Sequence, residues 1–188
     1  MSSTGACNDG LRDYNSHQQQ EELTMKLESL KDLYLEQLKD LYSAETQIID
    51  ALPRMAEASN SSDLRKAFTD HLRQTEEHVR RLEKIFQNLQ ESPKGHTCEG
   101  MKGLLKEGAE MAKMSGEPSV IDAGLIACAQ RVEHYEIAGY GTVRTYAEML
   151  DKDDHVTLLE RTLQEEEETD ERLTELAESH INQEAQVR

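Results

Sequence analysis

Carboxylates and imidazoles stand where apolar residues belong in four separate stretches of this chain of 188 residues. Leu38, Leu41, Ile48 and Leu52 recur at helical spacing, and the position missing from the series is Glu45. Ile126, Ala129, Tyr140 and Val143 are interrupted by Glu133 and Glu136, and the run from Leu159 and Leu163 to Leu173 and Ala177 passes through Glu166 and Asp170. A fourth stripe carries His71, Thr75 and His78, with Gln74 at its edge. At 3.6 residues per turn such positions point towards whatever the stripe buries. Five carboxylates brought together in an apolar interior are destabilised by desolvation and mutual repulsion unless they are protonated or neutralised by cations. Two divalent metal ions are the economical solution. Carboxylates with one or two imidazoles suit iron or manganese better than a thiolate-preferring metal.

The elements that must position these residues follow from the same periodicity. Apolar spacing of three, four and seven predicts a helix over about 26–58; Ser59 to Asp63 supply turn and cap chemistry, and a second helix runs to about residue 90. Pro93 and five glycines between 91 and 117 surround a short apolar pattern at Met101, Leu104, Leu105 and Met111, which predicts a crossover with one embedded helix. Pro118, with Ser119 and Asp122 as a capping box, opens a third long helix that ends near Leu150. The turn at residues 151–154 leads to a fourth, reaching about residue 181. No stretch alternates with period two, so the expected class is all-α, a four-helix bundle with a long crossover holding a short extra helix. The bundle is expected over residues 25–182, between a flexible N-terminal tail, 1–24, and a flexible end, 183–188.

Depth along such a bundle is a sharper test than periodicity. From the first turn near residue 60, Glu45, Gln74, Thr75 and His78 lie 14 to 18 residues away; from the second, near 152, Glu133, Glu136, Glu166 and Asp170 lie 14 to 19 away. At about 1.5 Å per residue this is roughly 22 Å from either turn, the middle of helices about 45 Å long. All four helices therefore bring polar groups to one level.

Composition excludes other functions. Twenty-one basic against 38 acidic residues give a net charge of −17, which repels nucleic acid and anionic membrane surfaces. No run approaches the roughly 20 apolar residues of a membrane span, and the N-terminus has no signal-peptide pattern. Cys7, Cys98 and Cys128, odd in number and far apart, fit neither a disulfide framework nor a zinc knuckle, and a reducing cytoplasm is expected.

The stretches LYSAETQIIDALPRMA, AFTDHLRQTEEHVRRLEKIF, DAGLIACAQRVEHYEIAGYGT and TLQEEEETDERLTELA closely resemble, in the same order, the YciF/YciE family of bacterial ferritin-like stress proteins. The resemblance covers residues 30 to 180. It implies a ferritin-like bundle, usually a homodimer, with a di-metal centre at Glu45, His71, Gln74, Glu133, Glu136, Glu166 and Asp170. This chain departs from the ferritin pattern of Glu-x-x-His on two helices: Thr75 precedes His78, Asp170 has no His near it in its helix, and Gln74 stands where the family commonly has Glu.

Two functions from different classes remain. One is a di-metal protein, binding two iron or manganese ions and reacting with dioxygen or peroxide, in which His71 or His78 completes the carboxylate set. The other is a structural or interaction dimer with a degenerate or vacant site. No catalytic residue is assigned. Glu165 to Glu168 fan around their helix, so only Glu166, with Glu167 beside it, concerns the site, and the others form a solvated face. His134 faces away. Tyr42 and Tyr140 serve as packing or hydrogen-bonding groups behind the ligands, Cys128 as a small buried hydrophobe, and Cys98 has no activating base.

Overall fold

The computed structural model describes residues 27–186; the N-terminal tail expected over 1–24 lies outside them. Ser29 opens the first helix by accepting from the Asp32 amide, and α1 runs Leu30–Ala58 with Pro53 on an exposed face. Ser61 caps α2, Ser62–Leu89, through the Leu64 amide. The short helix of the crossover is α3, Glu99–Met111. Next come α4, Pro118–Met149, and α5, Asp153–Leu176. A π-helical turn, Ala177–Ile181, then leads into α6, Asn182–Gln186. The chain is thus helical to Gln186, into the stretch where the sequence suggests a loose end. No strand occurs among the described residues, and the all-α bundle with a helix-bearing crossover is the observed architecture.

Two antiparallel hairpins, α1 with α2 and α4 with α5, form the bundle, and α1–α4 and α2–α5 packing joins them. Close approach of α1 and α4 depends on a residue without a side chain: a Cβ at Gly139 would stand 2.8 Å from Leu41 Cδ2. That approach lies one turn from both Glu45 and Glu136. The second hairpin turns through Asp151 in the left-handed region at φ 53°, a conformation Asp tolerates better than most residues.

One local expectation is overturned. Asp122 does not form a capping box with Ser119; it reaches across the bundle end, its Oδ1 accepting from the Asn60 amide at 2.8 Å and its Oδ2 from the Ser61 amide at 2.7 Å. A buried carboxylate gains more from two amides at the start of α2, where the helix dipole favours an anion, than from its own helix.

The core is divided. Toward the α1–α2 turn, Ile48, Leu52, Leu64, Phe68, Ile126 and Val132 form one apolar cluster with neighbours from α3 and α5. Toward the other end, Tyr34, Leu38, Leu41, Leu82, Phe86 and Leu159 belong to a second. Between them lies a buried layer of acids and histidines.

Candidate metal centre

Each long helix contributes to that layer. Glu45 of α1, His71, Thr75 and His78 of α2, Glu133 and Glu136 of α4, and Glu166 of α5 are all buried, and Glu45, His78, Glu136 and Glu166 have no exposed surface at all. Ligand atoms of His71, Glu133, Glu136 and Glu166 all lie within 4.8 Å of one another, and those of Glu45, His78 and Glu166 form a second such group. Glu166 belongs to both. His71 Nε2 stands 3.5 Å from Glu133 Oε1 and 3.9 Å from Glu166 Oε2; His78 Nδ1 stands 2.9 Å from Glu166 Oε1 and 3.3 Å from Glu45 Oε1.

Both imidazoles are oriented from behind. The Thr169 hydroxyl donates to the Glu165 carbonyl, so its contact of 3.3 Å with His71 Nδ1 leaves it as acceptor and places the ring proton on Nδ1. The bare Nε2 of His71 therefore faces the carboxylates. His78 directs Nε2 at Glu165, 3.0 Å away, and Arg81 grips Glu165 with two bonds of 2.6 and 3.0 Å. Arg81 also reaches the buried Thr162 hydroxyl. A carboxylate behind an imidazole holds ring and tautomer as histidine ligands of metals require. Tyr140 donates to Glu45 Oε1 and fixes that carboxylate as well.

Ionisation of most of these buried acids is costly. Burial, then repulsion from Glu166, holds the Glu133 carboxyl well above the usual range; burial and the nearby Glu45 do the same to Glu136. Glu45 is raised mainly by burial. Burial also disfavours charge on Glu166 and is the largest single influence, but His78 and His71 together outweigh it and lower its pKa. His78 is raised despite its burial because Glu166 and Glu45 flank it, whereas burial depresses His71. Eight buried atoms of this layer have no hydrogen-bond partner: Glu45 Oε2, His71 Nε2, His78 Nδ1, Glu133 Oε2 and both carboxyl oxygens of Glu136 and Glu166. Buried polar groups are rarely left so. The two groups are lone-pair donors turned inward upon each other, and they could hold metal ions.

A family model described as "Domain of unknown function (DUF892)" matches residues 29–186. The chain belongs to the DUF892 family. Protein YciF of Escherichia coli (strain K12) is 39% identical over 163 residues, which are 86% of this chain and 98% of YciF. The crystal structure of that stress protein superposes with a TM-score of 0.80, covering 83% of this chain and 99% of YciF. YcfI from Rhodopseudomonas palustris, 40% identical, gives 0.76 over 81% of this chain and 96% of its own. A protein from Xanthomonas campestris pv. campestris, 20% identical, gives 0.67 over 85% and 100%, and shares the fold.

Of the eight positions singled out in the sequence, the two ligand groups contain Glu45, His71, His78, Glu133, Glu136 and Glu166. Gln74 is half-buried beside His71 and lines, with His71 and Glu133, a cavity of about 260 Å³ between α2 and α5. Asp170 is in neither group. Its carboxylate turns to Gln130 Nε2 at 3.1 Å and to His134 Nε2 at 3.4 Å, on the partly exposed seam of α4 and α5. It does have a histidine nearby, but one supplied by the neighbouring helix.

One expectation about a surrounding residue is corrected. Glu165 is not part of a solvated face, since packing of α2 on α5 encloses it between His78 and Arg81. Arg81 itself was missed; a basic residue beside the histidine stripe was the available signal. Cys98 has polar company, its Sγ 2.9 Å from the Tyr135 hydroxyl and 3.3 Å from Asp40 Oδ2, and its Sγ accepts from the Met101 amide to cap α3. Burial raises its pKa, so it remains a thiol that pins the crossover to α1 and α4. Of the two roles expected for the tyrosines, Tyr42 takes packing, edge-on against Phe86 with its hydroxyl donating to Glu83, and Tyr140 takes hydrogen bonding to a ligand.

Proposed function

We propose that this protein binds two divalent transition-metal ions, iron or manganese, in mid-bundle. His71, Glu133 and Glu136 would hold one and Glu45 and His78 the other, with Glu166 shared. The observation that carries the reading is the set of eight inward-facing buried atoms without a hydrogen-bond partner, since a fold that gains nothing from cations there would replace them with apolar side chains. A metal pair so bound supplies redox chemistry toward dioxygen or peroxide. The chain's own part is definite. Glu165, held by Arg81, keeps the His78 proton on Nε2; Thr169 keeps the His71 proton on Nδ1; Tyr140 holds Glu45 in place; and the flanking apolar clusters exclude water from both ends.

The family relationship supports a role in stress, as in the E. coli relative described as a stress protein, and the resemblance supports a homodimer. The cysteine pattern supports a cytoplasmic setting. Elemental analysis after anaerobic incubation with ferrous or manganous ion should give close to two ions per chain, and fewer than one for Glu166→Gln. No uptake by the intact protein would reduce the assignment to a helical scaffold.

A further inference from the structure

A second, larger cavity approaches the same centre from another side. It encloses about 560 Å³ where the crossover helix α3 lies over α1 and α4, a volume in the range of small-molecule sites. Its walls are aliphatic: Ile48, Leu52 and Met55 from α1, Leu104 and Leu105 from α3, and Val132 from α4. Its one buried charged residue is Glu133, a member of the ligand group whose Oε2 has no hydrogen-bond partner. Phe68 and Glu133 line both this cavity and the smaller polar one beside His71.

The outer lining has the opposite character. Arg54, Lys102, Lys106 and Lys113 are exposed residues of this one cavity, against Asp50 and Glu57, in a chain with 21 basic and 38 acidic residues. Lys102 pairs with Glu99 at 2.9 Å and Lys106 with Glu110 at 4.0 Å, both pairs exposed, and Arg54 donates to the Asp50 carbonyl. Exposed pairs of this kind hold their lysines weakly. Among the exposed residues that line the opening, basic side chains thus outnumber acidic ones by four to two, with Glu99 and Glu110 just outside it, over an interior that is greasy.

We propose that this cavity binds an amphipathic carboxylate, its anionic head at the lysine rim and its apolar chain directed inward to Glu133. The chain end then stands beside the proposed metal centre, which makes an aliphatic acid the organic substrate class of that centre. What becomes of the ligand rests on the metal reading; its binding does not.

Calorimetric titration of chelator-treated, full-length protein with decanoate tests the binding alone. We expect saturable binding of one molecule per chain. Reversing charge at two exposed positions, Lys102→Glu with Lys106→Glu, should weaken it roughly tenfold, and decyltrimethylammonium, with a related chain and the opposite charge, should bind at least about tenfold more weakly. Ala51→Phe, which puts a ring into the cavity from α1, should abolish binding while circular dichroism stays unchanged; if that variant does not fold, the charge-reversal and head-group comparisons decide. Absence of saturation, equal binding of the cation, or undiminished affinity in the charge-reversed protein would each overturn the proposal. Metal uptake measured on the same samples separates the two claims. Uptake without decanoate binding overturns the cavity assignment alone, and decanoate binding without uptake overturns the centre alone.

Discussion

Replacing Glu136 with leucine should stabilise the protein in chelator and destabilise it, relative to wild type, in metal. Both carboxyl oxygens of Glu136 are buried without a partner, and burial together with Glu45 makes its ionisation unfavourable. An unsatisfied buried polar group costs about 1–3 kcal/mol, and leucine is close enough in size to keep the surrounding contacts. Taking about 2 kcal/mol, and roughly 2–4 °C per kcal/mol for a domain of this size, the chelated Glu136→Leu protein should melt about 4–8 °C above wild type. Metal at about a hundred times its Kd adds close to 2.7 kcal/mol to wild type, a gain of roughly 5–10 °C; the variant, lacking a ligand, should gain much less. Differential scanning calorimetry with EDTA, then with manganous or anaerobic ferrous ion, reads both effects. A Glu136→Leu protein that melts below wild type in EDTA, with a wild-type melt indifferent to metal, would refute the reasoning.

Other outcomes follow from the same contacts. Glu133 and Glu136 have folded pKa values above their unfolded ones. Their contribution is fully present below about pH 4.5 and is lost as pH rises through the folded values. In chelator, wild type should therefore lose stability relative to Glu133→Gln/Glu136→Gln as pH rises above about 4.5, and parallel melting curves would contradict this. Arg81→Met removes the bidentate grip on Glu165 and should lower metal affinity about 10–100-fold without loss of helix; unchanged affinity would show that His78 needs no such support. Asp122→Ala deletes two buried charged hydrogen bonds and should cost about 2–4 kcal/mol in urea unfolding, with metal stoichiometry intact. A loss well under about 1 kcal/mol would mean the bundle end is held by other contacts.

How much of this was legible in the chain depends on whether one helix or two decide a residue's surroundings. Glu45, interrupting the series Leu38, Leu41, Ile48 and Leu52, could be placed because a missing apolar residue in a 3.6 repeat has one direction to point. Equal distances from the two turns then placed it level with His78, Glu136 and Glu166, since rise per residue is constant in a helix. Asp170 obeyed both rules and still lies elsewhere, because a short side chain at the edge of the stripe turned to Gln130 and His134 on α4. Glu165 failed the single-helix rule in the other direction: its flank of α5 looks outward until α2 supplies Arg81 and His78.

Periodicity and chain length act through local geometry, and they were enough to specify the all-α bundle, its crossover helix and the level at which acids and histidines gather. Helix packing settled the rest: which carboxylates share an ion-sized space, which ring nitrogens face it, and which amides the Asp122 carboxylate accepts from. Those outcomes rest on contacts between residues about 30 to 120 positions apart, whose approach is set by helix packing and not by spacing along any one helix.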